Sequence, residues 1–211
     1  MASDFTADST RRARIAGALR FQEAPQIMGI VNVTDDSFYA GSRSMDNEAV
    51  ANGLAMWDAG ATWVDVGGES TRPGAAPVNI DTEVRRVLPV IQGLRAARPD
   101  GLISIDTRHA EVAKAALAAG ADMVNDVSGL RDPAMLDAVL ASGCAVCVMH
   151  MQGDPGSMQN NPVYADVVGE VSLALEHVKE QLIERGHPED LIVLDPGIGF
   201  GKTQDHNIAL L

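Results

Sequence analysis

Six short apolar runs, separated by longer stretches with helical periodicity, restrict this chain to an α/β architecture. The runs are Ile27–Val33, Thr62–Val66, Leu102–Asp106, Asp122–Val127, Ala145–Met149 and Leu191–Leu194. Each is almost continuously hydrophobic, as strands are when helices cover them in a parallel sheet. Between them, Val84, Val87, Leu88, Ile91 and Leu94 form one helical stripe. Val168, Val171, Leu175, Val178 and Leu182 form another, at spacings of three and four. Gly60 and Gly120 are placed to close two further helices, and Gly186 with Pro188 closes the second stripe.

An open doubly wound sheet and a closed barrel both satisfy this alternation. The polar residues separate them. Nearly every run ends in at least one: Asn32, Asp65, Asp106, Asn125 with Asp126, His150 and Asp195. Barrel enzymes draw their sites from the C-terminal ends of many strands, whereas an open sheet concentrates them at one switch point. The expected fold is therefore a (β/α)₈ barrel with about six of its eight strands present. Residues 1–211 read as a single domain lacking its last two β/α units, with 1–24 as an N-terminal extension. Gln204–Leu211 reads as the first turns of a helix.

The chain has 211 residues, 46% of them hydrophobic but only 4% aromatic, so aliphatic side chains and Met must fill the core. Its net charge of −13 repels phosphate backbones and points away from nucleic acid. No stretch approaches the roughly 18 apolar residues of a membrane span. Arg11, Arg12 and Arg14 follow Asp4 and Asp8, so a solvated first helix is expected rather than a transit peptide. Cys144 and Cys147 fall within an apolar run, where strand alternation turns residues three apart to opposite sides. They are expected to be structural thiols in a reducing, cytoplasmic setting.

Asp106, Asn125 and Asp195 stand at three strand ends. Two carboxylates and an amide at a barrel mouth can hold a metal, exchange protons or grip a flat heterocycle. A carboxylate accepts both donors of a guanidine-like edge, and an amide matches a mixed edge. In Asp195–Thr203 the Gly-Lys-Thr triplet does not make a phosphate loop, because Pro196 occupies the position of the required first glycine. The loops leaving the first two strands, Asn32–Phe38 and Gly67–Gly74, carry hydroxyls, Arg72 and flexible glycines, as an anion-binding lid would.

Taken in order, Asn32-Val-Thr-Asp-Asp-Ser-Phe38, Gly67-Gly-Glu-Ser-Thr-Arg-Pro-Gly74, Ser104-Ile-Asp-Thr107, Asn125-Asp-Val-Ser-Gly129, Met149-His-Met-Gln-Gly153 and Leu194-Asp-Pro-Gly-Ile-Gly-Phe-Gly-Lys-Thr203 resemble the dihydropteroate synthase family. The resemblance runs from about residue 27 to the end. It implies a transferase of folate biosynthesis that joins a pterin diphosphate to 4-aminobenzoate, and a sulfonamide target. Asp106, Asn125 and Asp195 would hold the pterin, with Met149 packing on it and Phe200 among the substrate-binding residues. Asn32 would ligate Mg²⁺. Thr71 and Arg72 would contact diphosphate and the 4-aminobenzoate site. Asp36, Ser37 and Phe38 would lie on the first loop. In catalysis, Asn32, Thr71, Arg72 and Asp106 would take part. The family is usually homodimeric.

Two departures stand out. Asp35 and Tyr39–Ser42 replace the family's usual Pro and Ser-Asp-Gly-Gly-like stretch, which implies a less rigid first loop. The family's late Ser-Arg-Lys-Ser-Phe and Arg-x-His motifs are absent, and Lys202 belongs to a different motif. Two other readings stay open: a methyltransferase of the same pterin-binding superfamily, and a non-catalytic fragment that binds pterin weakly or supports a partner chain.

Overall fold

The computed structural model describes residues 9–20, 25–33, 42–70, 77–154 and 156–211, without the side chains of 42–45. Helix α1 (Ser9–Leu19) precedes β1 (Met28–Asn32), α2 (Ser42–Asp58), β2 (Trp63–Gly67), α3 (Ile80–Ala97) and β3 (Leu102–Asp106). There follow α4 (Ala110–Ala119), β4 (Met123–Asp126), α5 (Pro133–Ser142), β5 (Ala145–Met149), α6 (Val167–Glu184), β6 (Ile192–Asp195) and α7 (Gln204–Leu210). Every expected strand is present, within about one residue at each end, the scatter normal for element boundaries.

The strands pair in chain order, all parallel. Each is joined to the next through a helix, the connection that parallel pairing requires. In the described sheet β1 and β6 are edge strands, so the barrel is open between them.

Register fixes two faces. Val31, Val66, Ile105, Val124, Val146 and Ile192 lie in one lateral row. On this face Val64, two residues before Val66, and Leu94 of α3 both approach Gly53 of α2. The opposite face carries a gradient. Its lower rows are mostly apolar, with Met28, Trp63 and Met123. Its upper rows hold Asn32, Asp106, Asn125 and, one step higher, Met149 beside Asp195.

Helix termini are capped where the sequence supplies acceptors. Asn79 Oδ1 accepts from Thr82 N at 2.9 Å, and Asp132 Oδ1 from Ala134 N at 2.9 Å. Thr203 and His206 form a reciprocal capping pair that starts α7. Gly120 ends α4 with φ 117°, a conformation open to glycine and costly for other residues.

Helix α1 departs from the expected solvated helix. Its Ile15 is fully buried. Arg11 Nε donates to Asp122 Oδ1 at 2.7 Å, and its Nη2 reaches the carbonyls of Gly120 and Ala121. Asp122 is itself fully buried and also accepts from Arg95 Nη2 at 2.5 Å and Ile103 N at 2.8 Å. The basic run reads as solvated in isolation because its counter-charge lies 111 residues downstream. Removing one member of a buried ionic cluster strands the others. Asp122→Ala is therefore expected to lower the unfolding free energy by about 3–5 kcal/mol, measured by denaturant titration.

Candidate active site

The upper inward rows of β1–β6 bring most of the described candidate residues to one cavity mouth. Asp106 and Asn125 are direct lateral neighbours, as are Met149 and Asp195. A β-carbon at Gly67 would lie 3.3 Å from Asp106 Oδ2 and 3.6 Å from Asn32 Oδ1, so glycine here leaves room for both side chains to converge.

Asp65, known from the sequence only as a polar residue of its strand, belongs to this cluster. It is buried, and its Oδ2 accepts from Asn125 Nδ2 at 3.0 Å. Asp106 Oδ1 is buried without a hydrogen-bond partner among the described residues, while the Ser104 hydroxyl and the Asn125 amide lie against the Asp65 carboxylate and partly offset the effect of its burial. Burial raises the pKa of Asp65. Asp106 is pushed well above the usual carboxylate range, first by burial and then by the charges of Asp65, Glu83, Asp126 and Glu69. A ligand presenting N–H donors would relieve both the missing hydrogen bond and the accumulated negative charge.

Met149 and Phe200 meet in a small apolar cluster with Val127, Met151 and Met158, beside the polar strand ends. Asp195 is held by its own loop, its Oδ1 accepting from Gly197 N at 2.7 Å. Thr71 and Arg72, and Asp36, Ser37 and Phe38 of the first loop, lie outside the described residues.

Cys147 lies in the same lateral row of the inward face as Asp106 and Asn125, above the row of Asp65 and below Asp195. Burial, then the charges of Asp195, Asp65, Asp106 and Asp126, push its thiol up to about 12. Burial raises Cys144 to about 11. Both thiols are free and buried. Thiolate is the reactive form, so thiol counting on the native chain is expected to show slow labelling of both and no 144–147 bridge. Fast labelling or a bridge under mild oxidation would contradict the strand placement.

A second polar network braces the mouth from behind and was hidden in the sequence. Glu83 of α3 is fully buried; it accepts from Thr107 Oγ1 at 2.6 Å and faces His109 Nδ1 at 2.6 Å. Glu69 takes Arg108 through two hydrogen bonds, 2.9 and 3.1 Å, and accepts from Val78 N at 3.0 Å. Atoms of Glu69, Glu83 and His109 come within 4.8 Å of one another, a spacing at which three such groups can share a metal. Here their oxygens are already engaged, and the network ties the segments after β2 and β3 to α3.

An all-parallel β/α fold whose polar groups gather at the C-terminal strand ends places the chain with the barrel-type β/α proteins, which build their sites at that end. Residues 28–211 match the family described as "Pterin binding enzyme", and the chain belongs to that family. It is 44% identical over 188 residues to the "Dihydropteroate synthase" of Escherichia coli K12, covering 89% of this chain and 66% of that protein. Among solved structures, the Xanthomonas albilineans dihydropteroate synthase with 4-aminobenzoic acid superposes with a TM-score of 0.80 at 44% identity, covering 89% of this chain and 67% of the other. The Burkholderia cenocepacia enzyme complexed with 7,8-dihydropteroate gives 0.78 at 42% identity, covering 89% and 64%. The chain thus spans just under two thirds of the length of the Escherichia coli relative.

Proposed function

We propose that this chain carries the pterin half of a dihydropteroate synthase site. The observation that carries the reading is the cluster of Asp65, Asp106 and Asn125, in which the buried Asp106 Oδ1 lacks a partner among the described residues. A pterin edge supplies paired N–H donors of the kind Asp106 lacks, while Asp195 accepts on another side and Met149 with Phe200 packs against the ring. Two related structures, one with 4-aminobenzoic acid and one complexed with 7,8-dihydropteroate, support the substrates.

The reaction that follows is attack by the amine of 4-aminobenzoate on the methylene carbon of the pterin diphosphate. The new C–N bond forms as the C–O bond to diphosphate breaks and the amine loses a proton. An arylamine needs little activation, so holding the pterin still and balancing the leaving charge supply most of the rate. Asn32 Oδ1, which like Asp106 Oδ2 lies near where a β-carbon at Gly67 would stand, is a hard neutral oxygen of the type Mg²⁺ accepts. Bound there, Mg²⁺ would neutralise the departing diphosphate. Thr71 and Arg72 belong to the same reading as diphosphate and 4-aminobenzoate contacts. So do a homodimer and a cytoplasmic location; among the described residues no helix is long and apolar enough to cross a membrane.

Calorimetric titration with a reduced pterin tests the pterin half, and product analysis with pterin diphosphate and 4-aminobenzoate tests the reaction. Binding is expected with wild-type chain and is lost if the carboxylates serve only the fold. Transfer of a methyl group from a folate, with no dihydropteroate formed, would instead identify a methyltransferase of the superfamily.

A further inference from the structure

Lys202 is a buried cation with no role in the reaction above. It is 3% exposed. Its Nζ donates to the carbonyls of His150 at 3.1 Å, Gly197 at 3.0 Å and Phe200 at 3.0 Å, and lies 3.2 Å from His150 Nδ1. An ammonium has three N–H groups, so the three carbonyls can use all of them. The segment around it is wound to present those oxygens: Gly197, Gly199 and Gly201 have φ of 67°, 85° and 63°. Tyr164 Oη donates to Gly201 O at 2.9 Å and Gln159 Nε2 to Gly199 O, holding the outside of the same turn.

These carbonyls belong to two segments. His150 follows Met149 at the end of β5. Gly197 and Phe200 lie in the turn that leaves Asp195 at the end of β6. We infer that Lys202 is a positioning residue for pterin binding: by tying His150 O to Gly197 O and Phe200 O, it sets Met149, Asp195 and Phe200 relative to one another.

A phosphate-gripping lysine would turn its Nζ toward the cavity; this one turns it into its own loop. Nor is fold stability an obvious reason for keeping it. Burial lowers its pKa to about 8, against a smaller opposing effect from Asp195, so the surroundings do not fully repay the desolvated charge. His150 is pushed down by burial and by the Lys202 charge, which keeps its ring neutral beside the ammonium; Arg131 and Glu170 add weaker, opposed effects. A cost kept beside a ligand cavity fits a gain in geometry.

The inference rests on the proposed pterin site, and the test separates the two. Lys202→Met keeps the length and removes the donors. It is expected to weaken binding of a reduced pterin to the folded 211-residue chain by between about tenfold and a hundredfold, the range that small misplacements of a site produce. Lys202→Arg, which keeps the charge and donors, should recover part of that loss. In an Asp195→Asn background the Lys202→Met effect should shrink, because a residue acting through Asp195 cannot act twice. Hydrogen exchange over residues 196–201 should quicken in Lys202→Met. Unchanged pterin affinity, or losses that simply add to those of Asp195→Asn, would overturn the inference. If wild-type chain bound no pterin the functional reading would fall, and unchanged exchange over 196–201 would then overturn the clamp by itself.

Discussion

The purified 211-residue chain is expected to form dihydropteroate at least about a hundredfold more slowly than a chimera in which the last third of the Escherichia coli relative follows Leu211. The expectation comes from the two edges of the sheet. β1 and β6 each have one strand neighbour, and Ile30, 60% exposed, lies on the inward face of β1. Between the end of α1 and the lower part of the inward face lies a mostly apolar cavity of about 380 Å³, lined by Ala18, Leu19, Met28, Trp63, Met123 and Val193 among others. An eight-stranded barrel would fill that space with side chains. Strand edges left in this state also invite pairing with another chain, so the isolated chain should self-associate on size-exclusion chromatography. The family's late Lys, which would contact the pterin, and its Arg-x-His pair, which would receive diphosphate, are not among these residues. Losing two charged hydrogen bonds at about 1.5–3 kcal/mol each gives roughly two to four orders of magnitude in rate. Equal turnover by chain and chimera, measured as diphosphate release, would show that the described strands already hold a complete site.

Replacing Asp106 by Asn should separate binding from stability. Its carboxylate is the one group here with both an oxygen lacking a partner among the described residues and a strongly raised pKa. Loss of a charge-assisted pairing with the pterin edge is expected to cost about 1.5–3 kcal/mol, or roughly 10- to 150-fold in affinity. The fold should respond the other way. A carboxyl whose folded pKa is raised contributes stability below its unfolded value near 3.8, and that contribution is lost as pH rises through the folded value. At neutral pH the wild-type residue is therefore a burden, and Asp106→Asn should unfold at equal or higher denaturant concentration. Wild-type affinity for pterin should rise with pH across the same window, as the ionised acceptor becomes available, and then level off. The variant should be weak and flat. A variant that bound normally, or a wild type whose affinity fell with pH, would remove Asp106 from the pterin grip.

How much of this was legible beforehand differs by residue. The strands could be read because each is a near-continuous apolar run, and the strand-end polar residues because each follows such a run directly. Asn125 and Asp106 were both visible in this way. Their link to Asp65 was not, because register and not spacing decides that positions 60 residues apart meet. Glu83 was missed although it sits one helical turn before Val87 on the buried stripe of α3. A carboxylate at an apolar stripe position is a usable sign of a buried partner, here Thr107 and His109. Lys202 was denied a nucleotide role because Pro196 breaks the motif. What it does instead depends on three backbone carbonyls, and carbonyls leave no trace in a sequence.

The docking of α1 sets an order of events during synthesis. This helix leaves the ribosome before the strands, yet its anchoring carboxylate at Asp122 lies 111 residues behind it. At the usual elongation rates of about 5–20 residues per second, Arg11 waits roughly 6–20 s for its partner. Through that interval Ile15 has no finished surface to cover it, and a basic, amphipathic segment trails from an otherwise acidic nascent chain. The helix can thus close over the bottom of the sheet only after β3, α4 and the start of β4 exist. That makes it a late latch rather than a nucleus: Arg11→Ala should speed unfolding while leaving the refolding rate nearly unchanged.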